Sequence, residues 1–595
     1  MPAQLLQLHC KAFLELDLWR ERLRGRVLIT LRAPLPPELC LNLGSSASIE
    51  AARLTPHGGR TVTLSPESLP VRALVDEVVP QRWSATRDAG SFERCHGAAL
   101  HASGDGDVRL RLPAELAEAA GGEEAAEGGA VLDIEYTVDE LSGAIHFARR
   151  VRGGAAAYAH TVPQAGAVRR WLPCADVATA RCSYELHLAL AEPPEGACPS
   201  PDARPRVVAF GSGTRVGPPP SWPPEWFGGG SSSSSSSAAA AVAPWAHWSW
   251  SLERQALASE VGFLVGHEAA LQSCSHPTEA GVTLALGSLP AAREAAALGP
   301  EALAGRVRGR WPHLLYLSRS LPTMLAELRA FLLPPPPADL AAAREEPAAA
   351  SAAQALANGA LPARTARDPG GGGGAAVRGT EVGAEAGPGG GGGGGGGAPL
   401  ANGHATATAP VSAGPAGGGA GGGAGGGALR PAEEPHGHLV VAALEGAYCE
   451  CAAVGGLVLL DASLLHLPAA IEPAISLRVG LARTLCRSWV RAGARLDSEE
   501  DAWLAMGLEG RFAEKYTAAA FGSSEAVHSA ARTRRQLCAA SALHAAGRAG
   551  GGGAAAAEAL VPGVEELERW GGGLHEEQRW SWLRLLKAPW VLINY

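Results

Sequence analysis

Apolar and polar side chains alternate through the first part of the chain. AFLELDL (12–18) sets Phe13, Leu14, Leu16 and Leu18 against polar neighbours. RVLITL (26–31), DVRLRLP (107–113), AVLDIEYTV (130–138) and SYELHLAL (183–190) repeat the pattern. Successive side chains of a strand point to opposite faces, so this alternation predicts half-buried strands. Pro, Gly and Asp clusters separate them, which predicts an antiparallel sandwich or saddle. SEVGFLVGHE (259–268) predicts a last strand of that domain. The period then changes. In WPHLLYLSRSLPTMLAELRAFLL (311–333), Leu321, Leu325, Leu328 and Leu332 share one helical face. HLVVAALEGAYCECAAVGGLVLLDASLLH (438–466) reads as strands, and the segment from about 473 to 546 as helices.

Two stretches lack either period. The first, 211–246, contains PPPSWPPEW, seven serines and an alanine run. The second, 334–433, begins at PPPP and ends in repeated GGGA. Neither can bury a core, and both are expected to be disordered. They hold much of the chain's Gly 77 and Pro 44. That leaves roughly 450 residues to fold, enough for two or three domains. The expected organisation is a β domain over 1–268, interrupted by the first insert, and an α/β domain over 269–546, interrupted by the second. Residues 547–595 are expected to be a glycine-rich linker and a helical segment opening a further, truncated domain.

Charge and cysteine usage narrow the function. Net charge is −9, so the whole chain is not a polyanion binder and nucleic-acid contact would need a local patch. Lysine occurs only at Lys11, Lys515 and Lys587, so the positive charge is nearly all arginine. The 11 cysteines are odd in number, scattered and without CxxC, as expected of reduced thiols inside a cell. The N-terminus has no basic segment followed by a long apolar core, so no signal peptide is expected. No apolar run is long and uninterrupted enough to predict a membrane span.

LARTLCRSW (481–489) and WLAMG (503–507) form the most informative pair. A zinc peptidase helix needs two histidines one turn apart and a glutamate beside the first as general base. The pair resembles HExxHxW and WLNEG of the gluzincin aminopeptidases. Counted back from Trp489, the histidine positions fall on Arg483 and Arg487, and the base on Thr484. Counted forward from Trp503, the third ligand falls on Met506, and 18 residues separate Arg487 from Met506, the family spacing. A protonated guanidinium cannot replace a neutral imidazole on zinc. Upstream, GAIHFARR (143–150), RRWLPCAD (169–176) and RCSYEL (181–186) resemble the same enzymes' approach to RRxFPCxDEP, with Val177 replacing an acid. The substrate-binding GxMEN is missing; EGAYCECAAVGGLVLL (445–460) stands there, with Glu445 and Glu450 nearby.

One family combines this fold with a dismantled site: subunit 2 of the general transcription factor TFIID, a TATA-binding-protein-associated factor. AFLELDLWRERLRGRVLITL resembles its opening strands. EGAYCECAAV…SLLH and EEDAWLAMGLEGRFAEKYTAAAFG resemble its later segments. The resemblance implies an α+β multidomain chain: an N-terminal antiparallel β saddle, then a thermolysin-like α/β domain with a degenerate zinc site. It implies a non-catalytic nuclear scaffold without cofactor, membrane or small-molecule substrate. Its implied partners are TBP (the TATA-binding protein), other associated factors and core promoter DNA. The alternative expectation is a zinc-aminopeptidase homologue, inactive or with a rebuilt site, that binds peptides.

Other candidates are weaker. Arg483, Arg487 and Arg491 form a basic stripe at i, i+4 and i+8. Arg532, Arg534 and Arg535 form a second cluster, and GRVRGRW (305–311) a third. All are candidates for DNA phosphate contact. The stronger reading of each is solvated charge paired with acids such as those at 499–501. Arg483 and Arg487 could also fill the space left by zinc and pair with buried acids. His267-Glu268 and His575-Glu576 lack a second histidine at the right spacing. Cys449 and Cys451, alternating on a strand, read as core thiols sooner than as a metal pair.

Overall fold

The computed structural model describes residues 7–32, 35–57, 59–69, 106–113, 129–141, 143–149, 156–163, 167–176, 180–194, 206–217, 246–289, 300–332, 438–493 and 502–548. Most of both low-complexity tracts, and all of 549–595, lie outside these residues.

The first half is β. In order come β1 (Gln7–Asp17), β2 (Arg22–Leu31), β3 (Glu38–Leu41), β4 (Ala47–Pro56), β5 (Val62–Thr63), β6 (Pro66–Ser68), β7 (Val108–Arg111), β8 (Ala130–Val138), β9 (Ile145–Arg149), β10 (Ala156–Thr161), β11 (Arg181–Leu190), β12 (Val207–Gly211), β13 (Thr214–Val216), β14 (Ala246–Leu257) and β15 (Phe263–His267). An eight-stranded sheet runs β13-β14-β11-β1-β2-β8-β4-β5, and smaller sheets run β12-β15-β10-β9 and β3-β7-β6. The alternation works as expected: Leu23, Val27, Ile29 and Leu31 of β2 and Leu132, Ile134 and Tyr136 of β8 all face the core. Each such apolar side chain contributes about 1.5–3 kcal/mol on burial.

Two expectations need adjustment. The large sheet is not wholly antiparallel: β1 and β11 run parallel, from His9↔Ser183 to Leu16↔Leu190. Residues distant in sequence can pair this way because the long intervening chain supplies the crossover. Ordered chain also reaches into the segment assigned to the first insert, since β13 follows a turn at Gly213 (φ +92°) and pairs with β14.

RRWLPCAD is a buried staple of this domain. Arg169 is 1% exposed. Its Nε donates to Asp176 Oδ2 at 2.9 Å, and its Nη1 lies 3.9 Å from Asp107 Oδ2. Asn42 donates to Asp107 at 2.6 Å and accepts from the Asp176 backbone at 3.0 Å. Tyr136 donates its hydroxyl to the Trp171 carbonyl at 2.8 Å. A buried charge persists only when paired and hydrogen-bonded, and this motif is such a set.

The second half is α/β. It comprises β16 (Leu271–Ser275), β17 (Val282–Gly287), α1 (Pro300–Ser318), α2 (Leu321–Leu332), β18 (Leu439–Leu444), β19 (Cys451–Val454), β20 (Leu457–Asp461), α3 (Ile471–Gly493), α4 (Ala502–Phe521) and α5 (Ser523–Arg548). The sheet order is β16-β17-β18-β20-β19. β17, β18 and β20 are parallel, and β19 returns antiparallel at the edge.

Both faces of this sheet are covered. Val441, Ala443, Val458 and Leu460 meet Leu321, Leu325, Leu328, Leu481, Leu485, Trp489 and Phe512 from the helices. Val440, Ala442, Leu457 and Leu459 meet Tyr158, Leu264 and Leu271 on the other side. Burial on both faces explains why LVVAAL and LVLL are continuously apolar rather than alternating. No described helix is long and apolar enough to cross a membrane.

Candidate functional site

The zinc frame maps onto two adjacent helices. α3 is anchored by Leu481, Leu485 and Trp489, all buried. Ser488 fixes its rotation by donating to the Gly455 carbonyl at 2.6 Å, in the turn between β19 and β20. Gly455 has φ +56°, and a Cβ there would lie 2.7 Å from the Glu260 carbonyl, so the turn needs glycine. α4 lies against α3: the Cys486 thiol is 3.8 Å from the Leu508 carbonyl.

Arg483, Thr484 and Arg487, which the sequence resemblance sets at the histidine and base positions, all stand on α3, and Met506 is buried on the next helix. Arg487 Nε donates to Glu509 Oε1 at 2.8 Å. Glu509 is a buried carboxylate one turn beyond Met506. An ion pair thus joins the two helices, and Arg487 pairs with a buried acid, as one of the sequence readings expected of it. Glu509 itself was overlooked. Its place three residues after Met506 puts it on the same side of α4, a signal available in the sequence.

Arg483 keeps exposed surface. Loss of water around its guanidinium lowers its pKa first; Glu509 opposes that shift, and the charges of Arg487 and Arg532 add to it. Arg532 is exposed on α5. Arg534 and Arg535 are exposed on α5, while Arg491 is half-buried and its carbonyl accepts from Arg181 at 2.9 Å. The acids at 499–501 lie outside the described residues.

Thr484 is buried. Its hydroxyl donates to the Gly480 carbonyl at 3.0 Å and lies 3.0 Å from the Cys451 sulfur on β19. Burial pushes the Cys451 thiol up to about 11, so it stays protonated at neutral pH and is no activated nucleophile. Cys449 lies before β19 rather than on it, so the two thiols do not alternate on one strand.

Glu445 is engaged in structure. Arg310 of α1 binds its Oε1 at 2.7 Å. Ser288 donates to its Oε2 at 2.8 Å, and the Leu289 amide donates to the same oxygen. Tyr158 donates to its carbonyl. Of the three arginines in GRVRGRW, Arg310 is therefore paired with an acid, as the stronger sequence reading expected, though the acid is Glu445 within the fold. Glu450 is exposed. His267 stacks edge-on to Trp19, with ring centroids 6.2 Å apart.

No protein-family profile matches the chain, and no curated protein is similar to it in sequence. Solved structures do share its fold. Native yeast LTA4 hydrolase superposes with a TM-score of 0.50 at 10% identity, covering 99% of this chain and 59% of that one. Yeast LTA4 hydrolase in complex with bestatin gives a TM-score of 0.52 at 11% identity, covering 99% and 58%. Native leukotriene A4 hydrolase from Saccharomyces cerevisiae gives 0.50 at 10%, covering 99% and 59%. The chain therefore spans about three fifths of the length of the structures it matches. At this identity the likeness shows the fold, which is aminopeptidase-like.

The sequence resemblance to zinc aminopeptidases implies zinc, and the residues it sets at the ligand positions do not fit that ion. Two are guanidinium cations without a lone pair to offer, the third is a buried thioether, and the adjacent carboxylate is taken by Arg487. Among the described residues, no group of three or more His, Cys, Asp and Glu side chains could hold a metal ion.

Proposed function

We propose that this chain is a non-catalytic scaffold subunit of TFIID that helps engage core promoter DNA and assemble the RNA polymerase II pre-initiation complex in the nucleus. The observation carrying this reading is the Arg487–Glu509 pair. It joins the two helices that the sequence resemblance aligns with a zinc frame, which supports a frame kept as architecture. The ordered sequence resemblances, from AFLELDLWRERLRGRVLITL to EEDAWLAMGLEGRFAEKYTAAAFG, supply the family. The proposed partners are TBP, other associated factors and promoter DNA. The test is affinity purification of the tagged chain from nuclei, with mass spectrometry of the recovered proteins. TBP and several associated factors are expected; their absence from a clean, well-expressed preparation overturns the scaffold reading.

The second reading is an aminopeptidase homologue that binds peptides, inactive or with a rebuilt site. It is favoured by the likeness to hydrolases, one of them in complex with bestatin. Turnover of aminoacyl-anilides by the purified chain, lost on Thr484→Ala or Cys451→Ala, would support a rebuilt site. No turnover above a buffer control removes the rebuilt site, and no heat of peptide binding in titration calorimetry removes the inactive peptide binder.

A further inference from the structure

Two histidines meet on the β half, on elements other than the helices α3 and α4. His146 of β9 and His160 of β10 are direct partners across an antiparallel strand pair. Their ring centroids lie 5.1 Å apart, with the planes at 44°. A backbone carbonyl holds each ring. His160 donates from Nδ1 to the Thr161 carbonyl at 2.9 Å. His146 donates from Nε2 to the Gly446 carbonyl at 2.8 Å, between β18 and β19. Each bond fixes which nitrogen carries the proton and leaves a lone pair on the other. In His160 that other nitrogen is Nε2, which is fully buried and has no hydrogen-bond partner among the described residues. Burial lowers the His160 pKa to about 3; the Thr161 carbonyl opposes the shift and His146 adds to it. The ring is therefore neutral at pH 7. Buried polar atoms are nearly always answered by a partner, and an unanswered acceptor is costly.

We infer that His146 and His160 form a two-histidine site for a borderline divalent cation of the Zn2+, Co2+ or Ni2+ kind. Neutral imidazole suits these ions. A metal-bound histidine almost always donates its second ring nitrogen to a carboxylate, a backbone carbonyl or water, and both rings here donate to a carbonyl. The spacing fits as well. Two imidazoles on one tetrahedral ion, with metal–nitrogen distances of about 2.0–2.1 Å, set their centroids about 5 Å apart. Water fills the remaining positions and reaches the pair past half-buried His146 and exposed Gly446. Mg2+ and Ca2+ prefer oxygen ligands and do not suit the pair. Two protein ligands, where structural zinc sites use four, make this a site of modest affinity on a fold that stands without it. It uses none of the residues on which the scaffold reading rests, so either can fail without the other.

The experiment is titration of the untagged full chain with Co2+ at neutral pH, followed by visible absorption. Saturable binding of one ion per chain is expected, with the weak bands of nitrogen and oxygen ligation. Zn2+ should displace the Co2+, and Mg2+ should not. Binding should weaken in acid, because protons compete for the imidazoles. His146→Gln and His160→Gln should each weaken it by about tenfold or more, since loss of even an outer-shell partner weakens a metal site by about 10–100-fold. His528→Gln, exposed on α5, should leave it unchanged. Circular dichroism and melting of each variant separate lost binding from lost fold. Should buried His160→Gln fail to fold, half-buried His146→Gln decides alone. Binding by folded His146→Gln as tight as by wild type overturns the inference. So does the strong near-ultraviolet band of a cobalt–thiolate bond, which assigns the ion to cysteine, and so does the absence of saturable binding.

Discussion

Arg487→Met and Glu509→Gln remove opposite halves of one ion pair and should not cost the same. Arg487 is 31% exposed and Glu509 6%. Methionine keeps much of the arginine's volume and discards its charge, leaving a carboxylate that water barely reaches. Breaking a fully buried pair from one side costs about 3–5 kcal/mol. The partial exposure of Arg487 and the nearby charge of Arg483 reduce that to about 2–3 kcal/mol. Glu509→Gln leaves a hydrogen-bond acceptor in place, and the freed guanidinium can take up water, so about 1 kcal/mol is expected. Urea denaturation followed by circular dichroism at neutral pH would rank the two variants. A second signature comes from acid. The stranded carboxylate of Arg487→Met can be protonated, so its deficit against wild type should shrink as pH falls. The reasoning fails if Arg487→Met lies within about 0.5 kcal/mol of wild type, the range of ordinary surface substitutions, or if Glu509→Gln is the costlier change.

Two further tests reach the frame around the site. Burial raises the Asp107 carboxyl from 3.8 to about 6. The folded state therefore holds that proton more tightly than the unfolded state, and Asp107's contribution to stability is lost as pH rises from about 4 through about 6, by about 3 kcal/mol. Asp107→Asn should abolish this slope, so its stability relative to wild type should increase between pH 4 and 7 in urea titrations; a constant difference would show that Asp107 does not titrate there. Gly455→Ala places a Cβ 2.7 Å from the Glu260 carbonyl at φ +56°. It should cost about 1–3 kcal/mol in the same assay, and an unchanged midpoint would mean that the turn relaxes.

Residues close in sequence made much of this readable. Alternation in RVLITL and AVLDIEYTV locates β2 and β8, and the stripe through Leu321, Leu325 and Leu328 locates α2. The two tryptophan-marked segments locate α3 and α4 because helical spacing is local. What could not be read is pairing at a distance. Nothing near Asn42 announces Asp107, Arg169 and Asp176, because the polar groups that satisfy a buried charge are chosen by the fold. β17 and β18 pair from Val282↔Leu439 to Gly287↔Leu444 although the whole second tract separates them. Short strands such as β12 and β13 were hidden beside a tract whose composition dominates its surroundings.

The β and α/β halves share more than a chain connection. Ser212 donates to the Val454 carbonyl at 3.1 Å and accepts from the Gly262 amide at 3.0 Å. Tyr158 and His146 reach the Glu445 and Gly446 carbonyls, the latter at 2.8 Å. Ala157, Tyr158 and Leu264 supply one wall of the core beneath the five-stranded sheet. A fragment ending at residue 268 would present that wall to water as a sticky apolar face, with its hydrogen-bond donors unanswered. The two halves should therefore melt in a single cooperative transition. Recombinant work on either half alone would report on aggregation rather than on the native molecule.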